Sequence, residues 1–193
     1  MMVADSTPYA WPYDGETEPA RTALVVCGSA GEWATQTPAD GTVETNIDLL
    51  RSTAAEWGAL VVLVRQPEAD PACGRPLQGS VELVPTPSEE VVVAAGIDGF
   101  YGSPLDALLR RHGRTHLLFA GRGFETTIHS TLRRANDRGY ECLTVADACA
   151  SLDPDLRAAS ISTIEMSGGI FGAVGVTDNV LTALHATQPK ESS

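Results

Sequence analysis

Short apolar runs rich in β-branched residues alternate with longer helix-period segments along this chain, and few folds accept that pattern. The runs are Thr22 to Val26 (TALVV), Ala59 to Val64 (ALVVLV), Glu90 to Val93 (EVVV), His116 to Ala120 (HLLFA) and Cys142 to Val145 (CLTV). Each is too short for a buried helix, and continuous apolar composition suits strands covered on both faces. Between them the spacing predicts helices near Val43 to Trp57, Pro104 to His112, Glu125 to Arg138, Asp153 to Met166 and Asp178 to Ala186. Gly58, Gly113 and Gly139 each follow such a segment, where a left-handed C-cap is wanted. Strand, helix, strand with short joins gives a three-layer, Rossmann-like α/β fold: a parallel sheet with helices on both faces. Ligands meet such sheets at the carboxyl ends of the strands. That points to Cys27 after the first strand, Arg65 and Gln66 after the second, Ala94 after the third and Gly121 to Thr127 after the fourth.

Length and charge narrow the function. With 193 residues, 43% of them hydrophobic, the chain is long enough for one substantial core and short for two. Residues 21–187 form the expected domain, 1–20 an N-terminal extension and 188–193 a frayed tail; the ends are the segments expected to be disordered. The formal charge of -12 repels phosphate backbones and anionic lipid, so neither nucleic acid nor a membrane surface is an expected partner. No stretch approaches the roughly 18 consecutive apolar residues of a membrane span, and Trp11, Pro12 and Asp14 interrupt the start where a signal peptide needs an apolar run. A cytoplasmic location is expected. Cys27, Cys73, Cys142 and Cys149 form no CxxC pair and have no histidine at metal-ligand spacing, so reduced thiols and no metal site are expected. Pro67 to Pro87, with five prolines, reads as a surface loop.

Longer strings carry a resemblance. PYAWPYDG (Pro8 to Gly15), PARTALVV (Pro19 to Val26), ACGRPLQG (Ala72 to Gly79), ANDRGYECLTVADACAS (Ala135 to Ser151) and EMSGGIFGAV (Glu165 to Val174) resemble the isochorismatase-like cysteine hydrolase family, in its biuret-hydrolase and ureidoacrylate-amidohydrolase branch. The likeness runs from about Pro8 to Leu184. It implies a six-stranded parallel sheet, usually in a homo-oligomer, and cofactor-free hydrolysis of a C–N bond in an amide or ureide. It also implies a Cys, Asp and Lys set: a thiolate attacks, a carboxylate moves the proton, and an ammonium holds that carboxylate charged.

Carried over residue by residue, the set is absent. Where the family has an Asp after strand one, this chain reads VVCGS, with Cys27 at that place; where it has a Lys after strand three, VVVAAGIDGF puts Ala94, with Phe100 kept. The nucleophile's segment reads GRGFETTI, with Thr127 at the Cys position and Gly121 and Glu125 kept. Ile97 and Ser167 replace a Lys and a Gln that serve the substrate in the biuret branch. The resemblance also implies a cis non-proline peptide at the Arg122, Gly123 turn, and Arg122 would put a cation at the pocket edge. The loops Gly28 to Asp40 and Gln66 to Pro71 are short for the family, which leaves a site wetter. His129 falls one turn into the helix after Thr127 and is expected to point along it to a surface or interface, and Asp98 reads as a loop carboxylate.

Two readings stand. In the first the chain is a pseudoenzyme that keeps its fold for assembly or regulation, as a homo-oligomer or with an active relative, its pocket at most binding a small molecule. In the second it is a hydrolase of amides or ureides using an altered set around Cys27 and Thr127. The helices after strands four and five, with apolar positions of Ile170 to Leu184, are the expected oligomer interface.

Overall fold

The computed structural model describes residues 1–29, 41–66, 74 and 84–187. Most of the loop Pro67 to Pro87, Cys73, most of the two short loops after the first and second strands, and the tail 188–193 lie outside them.

Six strands form one parallel sheet: β1 (Thr22–Ser29), β2 (Leu60–Gln66), β3 (Glu90–Val93), β4 (His116–Arg122), β5 (Glu141–Ala150) and β6 (Ala173–Gly175), in the spatial order β3-β2-β1-β4-β5-β6. The chain winds outward from β1 in both directions, so the switch point falls between β1 and β4. Alternation along each strand builds two cores. Leu24, Val26, Leu63 and Leu118 pack beneath α1 (Thr42–Trp57) and α5 (Thr177–Ala186). Val25, Cys27, Val62, Val64 and Phe119 pack beneath α2 (Leu105–Arg111), α3 (His129–Asp137) and α4 (Arg157–Glu165). Gly58, Gly113 and Gly139 follow their helices with φ of 90°, 66° and 84°.

Three departures from the expected elements have physical causes. Strands β1, β2, β4 and β5 run further toward their carboxyl ends than their apolar runs, because ladder hydrogen bonds continue through Cys27, Arg65 and Arg122. The helix expected from Glu125 begins as a single π turn, Phe124–Ile128, whose Ile128 N–H reaches back to the Gly123 carbonyl at 3.0 Å. β5 bulges between its pairs Thr144 and Cys149, and the freed carbonyls are met by side chains. Arg157 donates to Ala146 and Cys149 at 2.7 Å each, and Asn46 donates to Asp147 at 3.0 Å.

The N-terminal extension packs onto the domain. Met1, Val3 and Trp11 are buried in the α1/α5 core. Thr7 forms an antiparallel bridge to Val174 on the outer edge of β6, with N–H to carbonyl distances of 2.9 and 2.7 Å. The arm's motif PYAWPYDG is therefore a packing element. The Tyr9 hydroxyl and the Tyr13 N–H both reach Glu141 Oε1, and Asp14 accepts from His116 Nε2 at 3.1 Å.

Candidate functional site at the carboxyl ends of β1, β3 and β4

Cys27 closes β1 opposite Gly121 of β4, and the two backbones approach so closely that a Cβ at position 121 would stand 1.9 Å from the Cys27 carbonyl oxygen. Only glycine fits there, with φ at 128°. The Cys27 side chain is fully enclosed on the α3 face with Val64, Ala94 and Phe100. Burial pushes its thiol up to about 12, and the nearby Asp98 charge acts in the same direction. A thiol in that state is a packing group.

Thr131 ties this region together, and sequence reading passed over it. Its hydroxyl donates to the Thr127 carbonyl at 2.7 Å and accepts the Gly99 N–H at 2.9 Å, and it lies within hydrogen-bonding reach of Cys27. Helical spacing held the signal, since Thr131 falls one turn after Thr127 on the same face. Thr127 itself is buried, as is Ala94, whose N–H is spent on the Arg65 carbonyl at 2.9 Å. Cys27 and Ala94 pack in one core, and Thr127 is joined to it through Thr131. No histidine, lysine or free carboxylate among the described residues reaches the Thr127 hydroxyl. The Thr126 N–H, which could otherwise face a developing oxyanion, is bonded to the Gly123 carbonyl at 3.1 Å.

The other expected pocket residues have structural partners. Arg122 projects to the opposite face of the sheet and pairs with Glu44 in the first turn of α1. Burial there holds its pKa below the usual range, and its charge is paired with Glu44. The Arg122–Gly123 peptide is trans, since Thr7–Pro8 and Trp11–Pro12 are the cis bonds among the described residues; Gly123 instead takes φ 75°, ψ 55°. Glu125 faces away from Thr127 and accepts the Asp153 N–H at 2.8 Å. Phe100 stacks on Tyr140 with centroids 6.0 Å apart, and Arg138 covers its ring. Ser167 spends its hydroxyl on the turn after α4, donating to Ile164 and accepting the Phe171 N–H. Asp98 caps the Phe100 N–H and pairs with Arg134 at 3.2 Å, the structural role expected of it. His129 turns toward α4, away from Thr127. Among the described residues, no three His, Cys, Asp or Glu side chains gather as a metal site, and no helix is long and apolar enough to cross a membrane.

Known proteins share this architecture. The chain is 34% identical over 100 residues to the ureidoacrylate amidohydrolase RutB of Methylobacterium radiotolerans, a stretch that makes up 51% of this chain and 39% of that protein. A cysteine hydrolase from Pseudomonas syringae pv. phaseolicola superposes with a TM-score of 0.75 at 19% identity, over 96% of this chain and 98% of that one. The N-carbamoylsarcosine amidase from Thermoplasma acidophilum superposes at 0.66 and 23% identity, over 82% and 97%. At those identities the two structures attest the fold. Residues 22–175 match the isochorismatase domain, from the first residue of β1 to the last of β6, and the chain belongs to that family.

Proposed function

We propose that this chain is a pseudoenzyme of the isochorismatase-domain family: its C–N bond chemistry is lost, and the scaffold serves assembly or regulation, with the pocket at most binding a small molecule. The observation that carries the reading is the state of Cys27, Ala94 and Thr127 at the positions set against the family's Asp, Lys and Cys. One is a buried thiol raised to about 12, one a methyl, and one a hydroxyl without a base. General-base help alone is typically worth about 10²- to 10⁴-fold, and loss of the thiolate removes the covalent route itself. The scaffold motifs are meanwhile in use: ANDRGYECLTVADACAS supplies the β5 bulge, and SGGIFG the turn before β6. The cytoplasm is the compartment this reading assigns, in keeping with free thiols at Cys27, Cys142 and Cys149.

A second reading, hydrolysis of an amide or ureide by an altered set around Cys27 and Thr127, is favoured by one observation: the relative at 34% identity is a ureidoacrylate amidohydrolase. Ammonia release separates the two. Purified protein incubated with biuret, ureidoacrylate and simple amides is expected to give only background, as are Cys27→Ala and Thr127→Ala. Release well above background that disappears in either variant establishes the second reading and ends the first.

A further inference from the structure

The helix that follows β4 has two faces with different neighbours. Thr127 and Thr131 look toward β1 and the Gly99 turn, whereas Glu125, His129 and Arg133, four residues apart, line an open cleft against α4. The cleft has a volume of about 410 Å³, within the range of small-ligand sites.

Its two ends carry opposite charge. At one end Glu125 lines the cleft: its Oε1 accepts the Asp153 N–H and keeps a second lone pair, whereas Oε2 is enclosed with no donor among the described residues, so a ligand in the cleft meets this carboxylate at Oε1. At the other end, two helical turns or about 12 Å along the axis, the Arg133 guanidinium lies over the Phe171 ring at 4.2 Å. The ring fixes one face of the guanidinium, and among the described residues no carbonyl or carboxylate takes its N–H groups. The wall between them is rigid. His129 stacks on Phe124 with centroids 5.7 Å apart and donates Nε2–H to the Ser160 carbonyl at 3.0 Å. Burial lowers its pKa, so at neutral pH the ring is uncharged and the charge pattern of the cleft is that of Glu125 and Arg133. Leu156 and Ala159 of the facing segment supply apolar surface along the length.

The geometry points to a binding site for a linear zwitterion, an ω-amino acid whose ammonium meets Glu125, whose carboxylate meets the Arg133 guanidinium and whose methylenes lie along Leu156 and Ala159. Carboxylate on a guanidinium fork and ammonium on a carboxylate are the strong, charge-assisted pairings. The site is independent of the triad positions, because none of Cys27, Ala94 and Thr127 lines the cleft.

Calorimetric titration of the purified protein with 4-aminobutyrate and 6-aminohexanoate tests it, alongside butyrate and butylamine, which each keep one charged end. Saturable binding of an ω-amino acid is expected, weakened about tenfold or more in either one-ended analogue. Glu125→Gln, which keeps an acceptor for the Asp153 N–H, and Arg133→Met, at an exposed position, are each expected to weaken it to a similar degree. Thr127→Val is expected to leave it unchanged. Absence of saturable binding, equal affinity for the one-ended analogues, or wild-type affinity in both cleft variants once circular dichroism shows them folded would overturn the proposal.

Discussion

At the carboxyl end of β1 the same atom that invites a catalytic reading also removes it. A thiol with an ordinary pKa near 8.5 is partly thiolate at pH 8, whereas one raised to about 12 is ionised about 10³-fold less. Native Cys27 is therefore expected to resist iodoacetamide at pH 8 by at least about that factor relative to the unfolded chain, as read by peptide mass spectrometry. Rapid labelling of Cys27 in the folded protein would show an electropositive neighbour that the packing does not contain. This residue also shows what was legible in the sequence. Cys27, Ala94 and Thr127 could be assigned to strand ends because a parallel sheet puts its loops there. Their chemistry could not be read so far, because the pKa of Cys27 depends on enclosure by Val64 and Phe100, which come from other strands and loops. Arg122 shows the limit more sharply: one step of the pleat sends its side chain to α1 and Glu44.

Among the elements, α1 is tied to the approach to β3 by a partly buried charge pair that sequence periodicity could not reveal. Arg51 forks onto Glu89 with both N–O distances at 2.7 Å, and the Thr86 N–H adds a third bond at the same length. Burial alone would raise the Glu89 carboxyl; the Arg51 fork and the Thr86 N–H outweigh it and hold the pKa below the usual range. A depressed carboxylate contributes stability that is present above its unfolded value, about 4.3, and is lost as pH falls through the folded one. Glu89→Gln is thus expected to cost about 2 kcal/mol in urea unfolding at pH 7. That difference is expected to shrink as pH drops below 5, because the wild type then loses the same charge. A penalty independent of pH would mean that Glu89 acts through packing alone. Helix existence, by contrast, was readable in every case, since α1 to α5 each bury one stripe. Their starts were less so: the π turn at Phe124 and the 3-10 turn Pro154–Leu156 ahead of α4 depend on what their backbones meet.

For the whole molecule, most of the apolar surface once assigned to a partner is covered within the chain. Ala173, Val174, Val180, Ala183 and Leu184 are all buried, which leaves Ile170 at 72% exposure, beside Met166 at 75%, as the apolar projections of the turn before β6. In an assembly serving the proposed scaffold role, this pair is the apolar contact expected from the turn. Light scattering at micromolar concentration is expected to report an oligomer, and Met166→Glu with Ile170→Glu to shift it toward monomer. A monomeric wild type would remove homo-assembly and leave partnership with a different chain.

The arm that bridges β6 sets an order of events. Polypeptides leave the ribosome amino end first, so Val3, Thr7 and Trp11 emerge before any strand of the sheet, while Val174 follows only after β1 to β5 have been made. Throughout that interval the indole of Trp11 lacks the α5 side of its native core, and the loop closed by the Thr7 to Val174 bridge takes in five strands. A segment made before the sheet is seated after it, and the nascent protein depends on shielding at the very segment that later seals its edge.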